Sequence, residues 1–224
     1  MHDLTLRGLY DGDKVCLIFR IVADVRIAGV AINWTVSSMT LDPANVFRTL
    51  MSDEPVRLEA LPSEHGIYAL HDHSGTIRYI GITKVDKFGF RGRINSRHVT
   101  GSEGRSHKFS HAYNTGRMWR DKDDGGPDAM AAKALRAVFA RRHCRATFVI
   151  IPTTLHHELS RLEKAVQAMV PLGILIWGND RTFVPFSEPT ELVDALLGEP
   201  SYSSDTRAAV ERQAVLYSRR KLST

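Results

Sequence analysis

Two tyrosines in near-mirror settings are the first residues of this chain that could do chemistry. Tyr68 closes the tripeptide Gly66-Ile67-Tyr68, Tyr79 opens Tyr79-Ile80-Gly81, and the turn signal His73-Ser74-Gly75 lies between them. A phenol ordinarily titrates near a pKa of about 10, so it works as a base only beside cations. The chain supplies cations immediately downstream. Lys84, Lys87, Arg91, Arg93, Arg97, Arg105, Lys108, Arg117 and Arg120 face only Asp86 and Glu103 in that stretch, an excess larger than the +5 of the whole chain. Such a patch suits a polyanion, whose neutralised phosphates release counterions. Further on, Glu163 lies at one border of a helical apolar stripe, with Glu158 at the other. Asn179 lies in Trp177-Gly178-Asn179-Asp180.

These residues need elements to position them. Gly66 to His71 and Thr76 to Thr83 read as strands, and the short gap predicts an antiparallel hairpin. Phe88 to Val99 reads as a helix that carries Arg91, Arg93, Arg97 and His98 and is broken at Gly101 to Gly104. His107 to Tyr113 is a short helix, and Asp128 to Arg142 an alanine-rich one. Arg145 to Ile151 is a strand stopped by Pro152. The next helix, capped by Thr154, sets Leu155, Leu159, Leu162, Val166 and Met169 on one apolar face. Helices are also predicted over Pro189 to Leu197 and Asp205 to Leu222. Upstream, Val15 to Val22 is a strand and Val25 to Met39 a second strand or hairpin. Asp42-Pro43 starts a helix reaching about Met51. The first 60 residues carry no recognisable chemistry and read as a packing or specificity layer.

In this order of elements the chain resembles the GIY-YIG nuclease family. The resemblance rests on Gly66-Ile67-Tyr68, Tyr79-Ile80-Gly81, the arginine helix from Phe90 to His98, Glu163 and Asn179, and covers roughly residues 61 to 180. It implies an α+β fold: a small three-stranded antiparallel sheet flanked by helices, with extensions at both ends. The implied boundaries are a β/α extension over 1–60, the nuclease domain over 61–186 with an insertion at about 120–145, and a helical extension over 187–224. The family hydrolyses DNA with one divalent metal ion, Mg²⁺ or Mn²⁺, leaving 5′-phosphate and 3′-hydroxyl ends. The implied catalytic residues are Tyr68, Tyr79, Arg93, His98, Glu163 and Asn179, with Glu163 as metal ligand. Lys84, Lys87, Arg91, Arg97, Arg105 and Lys108 are the implied DNA contacts. One feature departs from the family. Its histidine commonly follows the arginine by four residues, whereas His98 follows Arg93 by five and Arg97 takes the fourth place. Either the helix is irregular, or His107 or His111 takes the role.

Each implied role has a physical basis. A phosphodiester gathers negative charge in its transition state and needs donors placed in advance. Arg93 offers a guanidinium fork for phosphate oxygens, in competition with Arg91 and Arg97. Glu163 is a hard ligand suited to Mg²⁺, which would stabilise the leaving oxygen. Tyr68 would deprotonate or orient water, Tyr79 would assist or hold the phosphate, and Asn179 would fix Glu163 by hydrogen bonds.

Composition narrows the remaining classes. At 224 residues, 43% hydrophobic and 25% charged, the chain has the makeup of a globular protein of one extended domain or two small ones. Two cysteines, Cys16 and Cys144, build neither a disulfide framework nor a four-cysteine metal site. With no secretory segment and no transmembrane-length apolar run, a cytoplasmic protein is expected. His157-Glu158 begins a zinc-protease pattern, but Arg161 stands where its second histidine belongs. His65, His71 and His73 match no metal signature and read as surface histidines. The function expected is that of a stand-alone, restriction-like endonuclease, dimeric if it cuts both strands. The alternatives are a catalytically inactive DNA-binding module and a repair or mobile-element nuclease.

Overall fold

A computed structural model describes residues 8–11, 14–17, 26–27, 30–31, 41–83, 88–178 and 183–222. In chain order its strands and helices are β1 (Gly8–Asp11), β2 (Lys14–Leu17), β3 (Arg26–Ile27), β4 (Val30–Ala31), α1 (Pro43–Ser52), β5 (Val56–Arg57), β6 (Gly66–His71), β7 (Ile77–Ile82), α2 (Gly89–Arg91), α3 (Lys108–Ala112), α4 (Pro127–His143), β8 (Arg145–Ile150), α5 (Leu159–Met169), α6 (Thr190–Leu197) and α7 (Ser204–Leu222). A π-helix, Gly92–Val99, continues α2, and 3₁₀ turns lie at Leu58–Ala60, Gly116–Met118 and Thr153–Glu158.

The fold is α+β, built on an antiparallel sheet of four strands in the order β5-β8-β6-β7. The expected three strands are present, and a fourth corrects the count. Val56 and Arg57 pair with Ala146 and Arg145 on the outer edge of β8. Two residues carry no period that a sequence could display; the strand exists because an unpaired sheet edge is costly to leave open. β1–β2 and β3–β4 form two small hairpins, and the rest of the predicted Val15–Val22 and Val25–Met39 strands lies outside the described residues.

β6 is buried at every position, because both sheet faces are covered. Ile67 and Ala69 join α1 and α5 in one core, with Leu50, Leu159, Leu162 and Val166. Tyr68 and Leu70 join the other, with Phe90, Ile94, Phe109, Leu135, Phe139 and Trp177. Continuous apolar sequence, rather than alternation, is what a doubly covered strand requires. The free edge of β7 is closed as well: the Arg78 carbonyl accepts from the Trp177 N–H at 3.1 Å, and the Ile80 carbonyl from Gln167 Nε2 at 2.9 Å.

The start of α1 follows its sequence signal. Asp42 caps α1, its carboxylate accepting from the Ala44 N–H at 3.1 Å, with Pro43 in the first turn. The helix predicted from Thr154 opens instead as the 3₁₀ turn Thr153–Glu158. At its far end Met169 is exposed and Val170 takes the core position.

α4 fills the predicted insertion and packs Ala132, Leu135, Phe139 and Ala140 inward. α7 lies across α4 and Gly116–Met118, tied by Arg212 to Asp128 at 2.6 and 2.8 Å. Among the described residues no helix is long and apolar enough to cross a membrane.

Candidate active site

The two motif glycines explain why the tripeptides are built as they are. β6 and β7 are in register with Tyr68 opposite Gly81. A Cβ on Gly81 would lie 2.5 Å from a Tyr79 ring carbon and 2.8 Å from its hydroxyl. Glycine there lets the Tyr79 ring fold back along its own strand, toward Tyr68. A Cβ on Gly66 would collide with the Val149 carbonyl of β8, so the first glycine is set by close strand approach. The rings of Tyr68 and Tyr79 come to 6.1 Å, tilted at 52°.

The irregular helix resolves the five-residue spacing of Arg93 and His98. Gly92–Val99 is a π-helix, whose bonding runs from i to i+5 and which recurs at functional sites. Its wider turn brings both side chains to one atom. The Tyr68 hydroxyl oxygen lies 2.7 Å from His98 Nε2 and accepts from Arg93 Nε at 3.3 Å. His98 Nδ1 accepts from the Lys108 backbone N–H at 3.1 Å. A backbone N–H only donates, so Nδ1 is bare and the imidazole proton sits on Nε2, directed at Tyr68. Burial and the nearby Arg93 and Lys108 charges hold His98 well below the ordinary imidazole pKa, so it is a neutral donor at neutral pH. His107 and His111 do not reach Tyr68. His107 Nδ1 lies against Ser102, and His111 Nδ1 donates to the Glu103 carbonyl at 2.6 Å.

Tyr68 and His98 are completely buried, whereas Tyr79, Arg93 and Glu163 are partly exposed. The approachable wall of the site is therefore Tyr79, Arg93 and Glu163, with Tyr68 and His98 behind. Burial drives the Tyr68 pKa far above the ordinary phenol value, with a further rise from Tyr79, against the lowering effect of Arg93. Tyr79 is raised by burial and by Glu163, while Arg93 and a hydrogen bond from Tyr68 pull it back. Tyr68 thus receives two N–H donors and passes its own proton toward Tyr79. Burial also raises Glu163, partly offset by Arg93 and Lys164. Gln167 Nε2 bridges Glu163 Oε1 at 3.3 Å and the Ile80 carbonyl at 2.9 Å, tying the carboxylate to the strand that carries Tyr79.

Tyr68, Tyr79, Arg93, His98 and Glu163 therefore come together, while Asn179, Lys84 and Lys87 lie outside the described residues. Arg91, Arg97 and Arg105 face solvent. Lys108 is not a surface contact: it is buried, with Nζ 4.7 Å from the Tyr79 ring centroid and 5.5 Å from that of Phe183. The basic stretch is also less basic outward than it reads. Arg117 is buried against Glu188, Asp194 and Glu211. Arg120 joins Arg136 on the buried carboxylate of Glu103. Nor are His71 and His73 surface residues. His71 is buried, donating from Nδ1 to the Gly75 carbonyl at 3.1 Å and meeting Thr147 Oγ1 at 3.2 Å. His73 is half-buried against Tyr113. Partnership of this kind depends on chain segments remote in sequence, which charge counting cannot see.

Sequence reasoning missed Gln167, although its position four residues after Glu163 on one helix face was a usable signal. It also missed that Lys108 positions His98 through its backbone.

No family model, curated protein or solved structure matches the chain.

Among the described residues no group of three His, Cys, Asp or Glu side chains could hold a metal ion. Glu163 is the carboxylate beside Arg93 and the tyrosines. Burial raises its pKa despite Arg93 and Lys164, and Mg²⁺ takes one or two carboxylates and keeps its waters. Glu163 is the residue that could hold such an ion.

Proposed function

We propose that the chain is a DNA phosphodiesterase of the GIY-YIG type, an endonuclease with its site at Tyr68, Tyr79, Arg93, His98 and Glu163. The observation that carries this reading is the convergence of Arg93 Nε and His98 Nε2 on the Tyr68 hydroxyl, beside Tyr79 and a half-buried carboxylate. Four separated stretches of sequence supply those groups. Structural packing alone gives little reason to gather two phenols, a guanidinium and a carboxylate in one place.

In this reading the Arg93 guanidinium binds a non-bridging phosphate oxygen, where charge grows as the phosphorus is attacked. The two donors on the Tyr68 oxygen fix its ring, and its own proton points to the Tyr79 oxygen. Tyr79, nearer solvent and held by that hydrogen bond, orients the attacking water. His98 keeps its proton on Nε2 and acts as a fixed donor. A divalent cation held by Glu163 would neutralise charge on the leaving oxygen.

The test is purified protein with supercoiled and linear DNA, in Mg²⁺ or Mn²⁺. Nicking or cleavage is expected, with 5′-phosphate ends. Arg93→Ala is expected to lower the rate about 100- to 1,000-fold, and Tyr68→Phe by about 100- to 10,000-fold, each with an unchanged circular dichroism spectrum. Undiminished cleavage in excess EDTA would sink the metal-dependent mechanism. A catalytically silent DNA-binding module is the second reading, and the complete burial of Tyr68 favours it; salt-sensitive DNA binding without cleavage in any metal would establish it.

A further inference from the structure

We infer that the substrate's phosphate backbone is also held away from the site, in a groove between β5 and the C-terminal end of α4. The inference rests on the nucleic-acid reading above. The groove encloses about 390 Å³ and is lined by Arg57, Glu59, Val138, Arg141 and Arg142. Three arginines and one glutamate thus line a space that admits a phosphate group. The strand register sharpens the imbalance: Arg57 stands directly opposite Arg145 in the β5–β8 ladder, and like charges so placed destabilise a sheet. Arg145 turns back to the carbonyls of Arg142 and Cys144, both at 2.7 Å. Arg142 reaches Glu199. The dipole of α4 accounts for cations in its last turn, but Arg57 comes from a separate element, brought there by strand pairing.

The groove adjoins the arginine helix. Glu59 belongs to the 3₁₀ turn Leu58–Ala60, and the Leu58 carbonyl accepts from Asn95 Nδ2 of the π-helix at 2.6 Å. That helix bears Arg93 at the site, flanked by exposed Arg97 and, just before it, Arg91. The turn that lines the groove is thus hydrogen-bonded to the helix that carries these arginines. Guanidiniums supply forked donors for phosphate oxygens and carry no sequence information when they contact backbone alone.

The experiment measures affinity of the full chain for duplex DNA against salt concentration, with Glu163→Gln as the cleavage-blocked parent. The double variant Arg57→Gln/Arg141→Gln is expected to weaken binding equally for unrelated sequences. It should make the log–log salt slope shallower by about 2, roughly one unit per lost phosphate contact. Glu59→Gln, which removes the groove's own carboxylate, is expected to tighten binding. It keeps the inference testable should the double variant melt early. Unchanged affinity and slope in both variants, with a shallower slope for Arg97→Ala, would overturn the groove while leaving the nuclease reading in place. A parent that binds no DNA at any salt concentration overturns both.

Discussion

The Tyr68 hydroxyl is the atom on which the site converges, and its partners decide what it does. Because the Lys108 N–H occupies His98 Nδ1, His98 is a donor to Tyr68 and not a base for water. Its folded pKa is depressed, so below the ordinary imidazole value of about 6.5 the unfolded chain binds more protons than the folded one. Stability from this group is present above that value and lost as pH falls through and below it. His71, His73 and His143 are depressed as well and add to the slope. Melting temperature followed from pH 8 to pH 5 is expected to fall less steeply in His98→Gln than in the wild type. Glu163 has the opposite sign. Its raised pKa means that stability declines as pH rises from the usual carboxylate range through the folded value. Glu163→Gln is expected to abolish cleavage while leaving the melting temperature at pH 7 equal or higher. Gln167→Leu removes a donor from the Glu163 carboxylate and so raises its pKa further. The acid limb of the pH–rate profile should move to higher pH, a shift that a purely structural role for Gln167 would not produce.

At the scale of elements, the hairpin and the π-helix are one device. Gly81 leaves room for the Tyr79 ring, and the i to i+5 turn aligns Arg93 with His98. Gly81→Ala forces the Tyr79 ring out and is expected to cost about 1–3 kcal/mol, with a fall in cleavage rate. Tyr79→Ala in the same chain should recover much of the lost stability without recovering activity. A double-mutant cycle by chemical denaturation measures the coupling, and strictly additive effects would refute the steric account. The helix carries the same lesson. A five-residue spacing that looks like a misfit to a regular helix is a fit to a π-helix, and only the backbone reveals which one forms.

For the whole molecule, the arginines divide into two kinds. Arg117 is buried and joins the segments before α6, α6 itself and α7 through Glu188, Asp194 and Glu211. Arg97 is exposed on the π-helix. Arg117→Ala leaves the half-buried Glu188 without its guanidinium and is expected to cost about 1–3 kcal/mol, lowering the melting temperature by several degrees without changing the salt slope of DNA binding. Arg97→Ala should do the reverse. Equal effects of the two on binding would show that the whole basic stretch faces the nucleic acid. Arg212, by contrast, makes an exposed pair with Asp128, which solvent screens and which contributes little to stability.

Much of this protein was legible in its residues. The hairpin, the start of α1, the third long strand and the apolar face of α5 follow from periodicity, caps and turn chemistry, which act over a few residues and leave their marks locally. The candidate groups Tyr68, Tyr79, Arg93, His98 and Glu163 were named through the family resemblance, with His107 and His111 as alternatives to His98. Tertiary structure decided the rest, because burial and partnership join residues far apart in the chain. It added Val56–Arg57 to the sheet through an open edge of β8 and set His98 as a donor through the backbone of Lys108. It withdrew Arg117 and Arg120 from the basic surface by pairing them with acids across the fold. It buried Tyr68 while leaving Tyr79 partly exposed, a distinction that two nearly mirrored tripeptides could not carry by themselves.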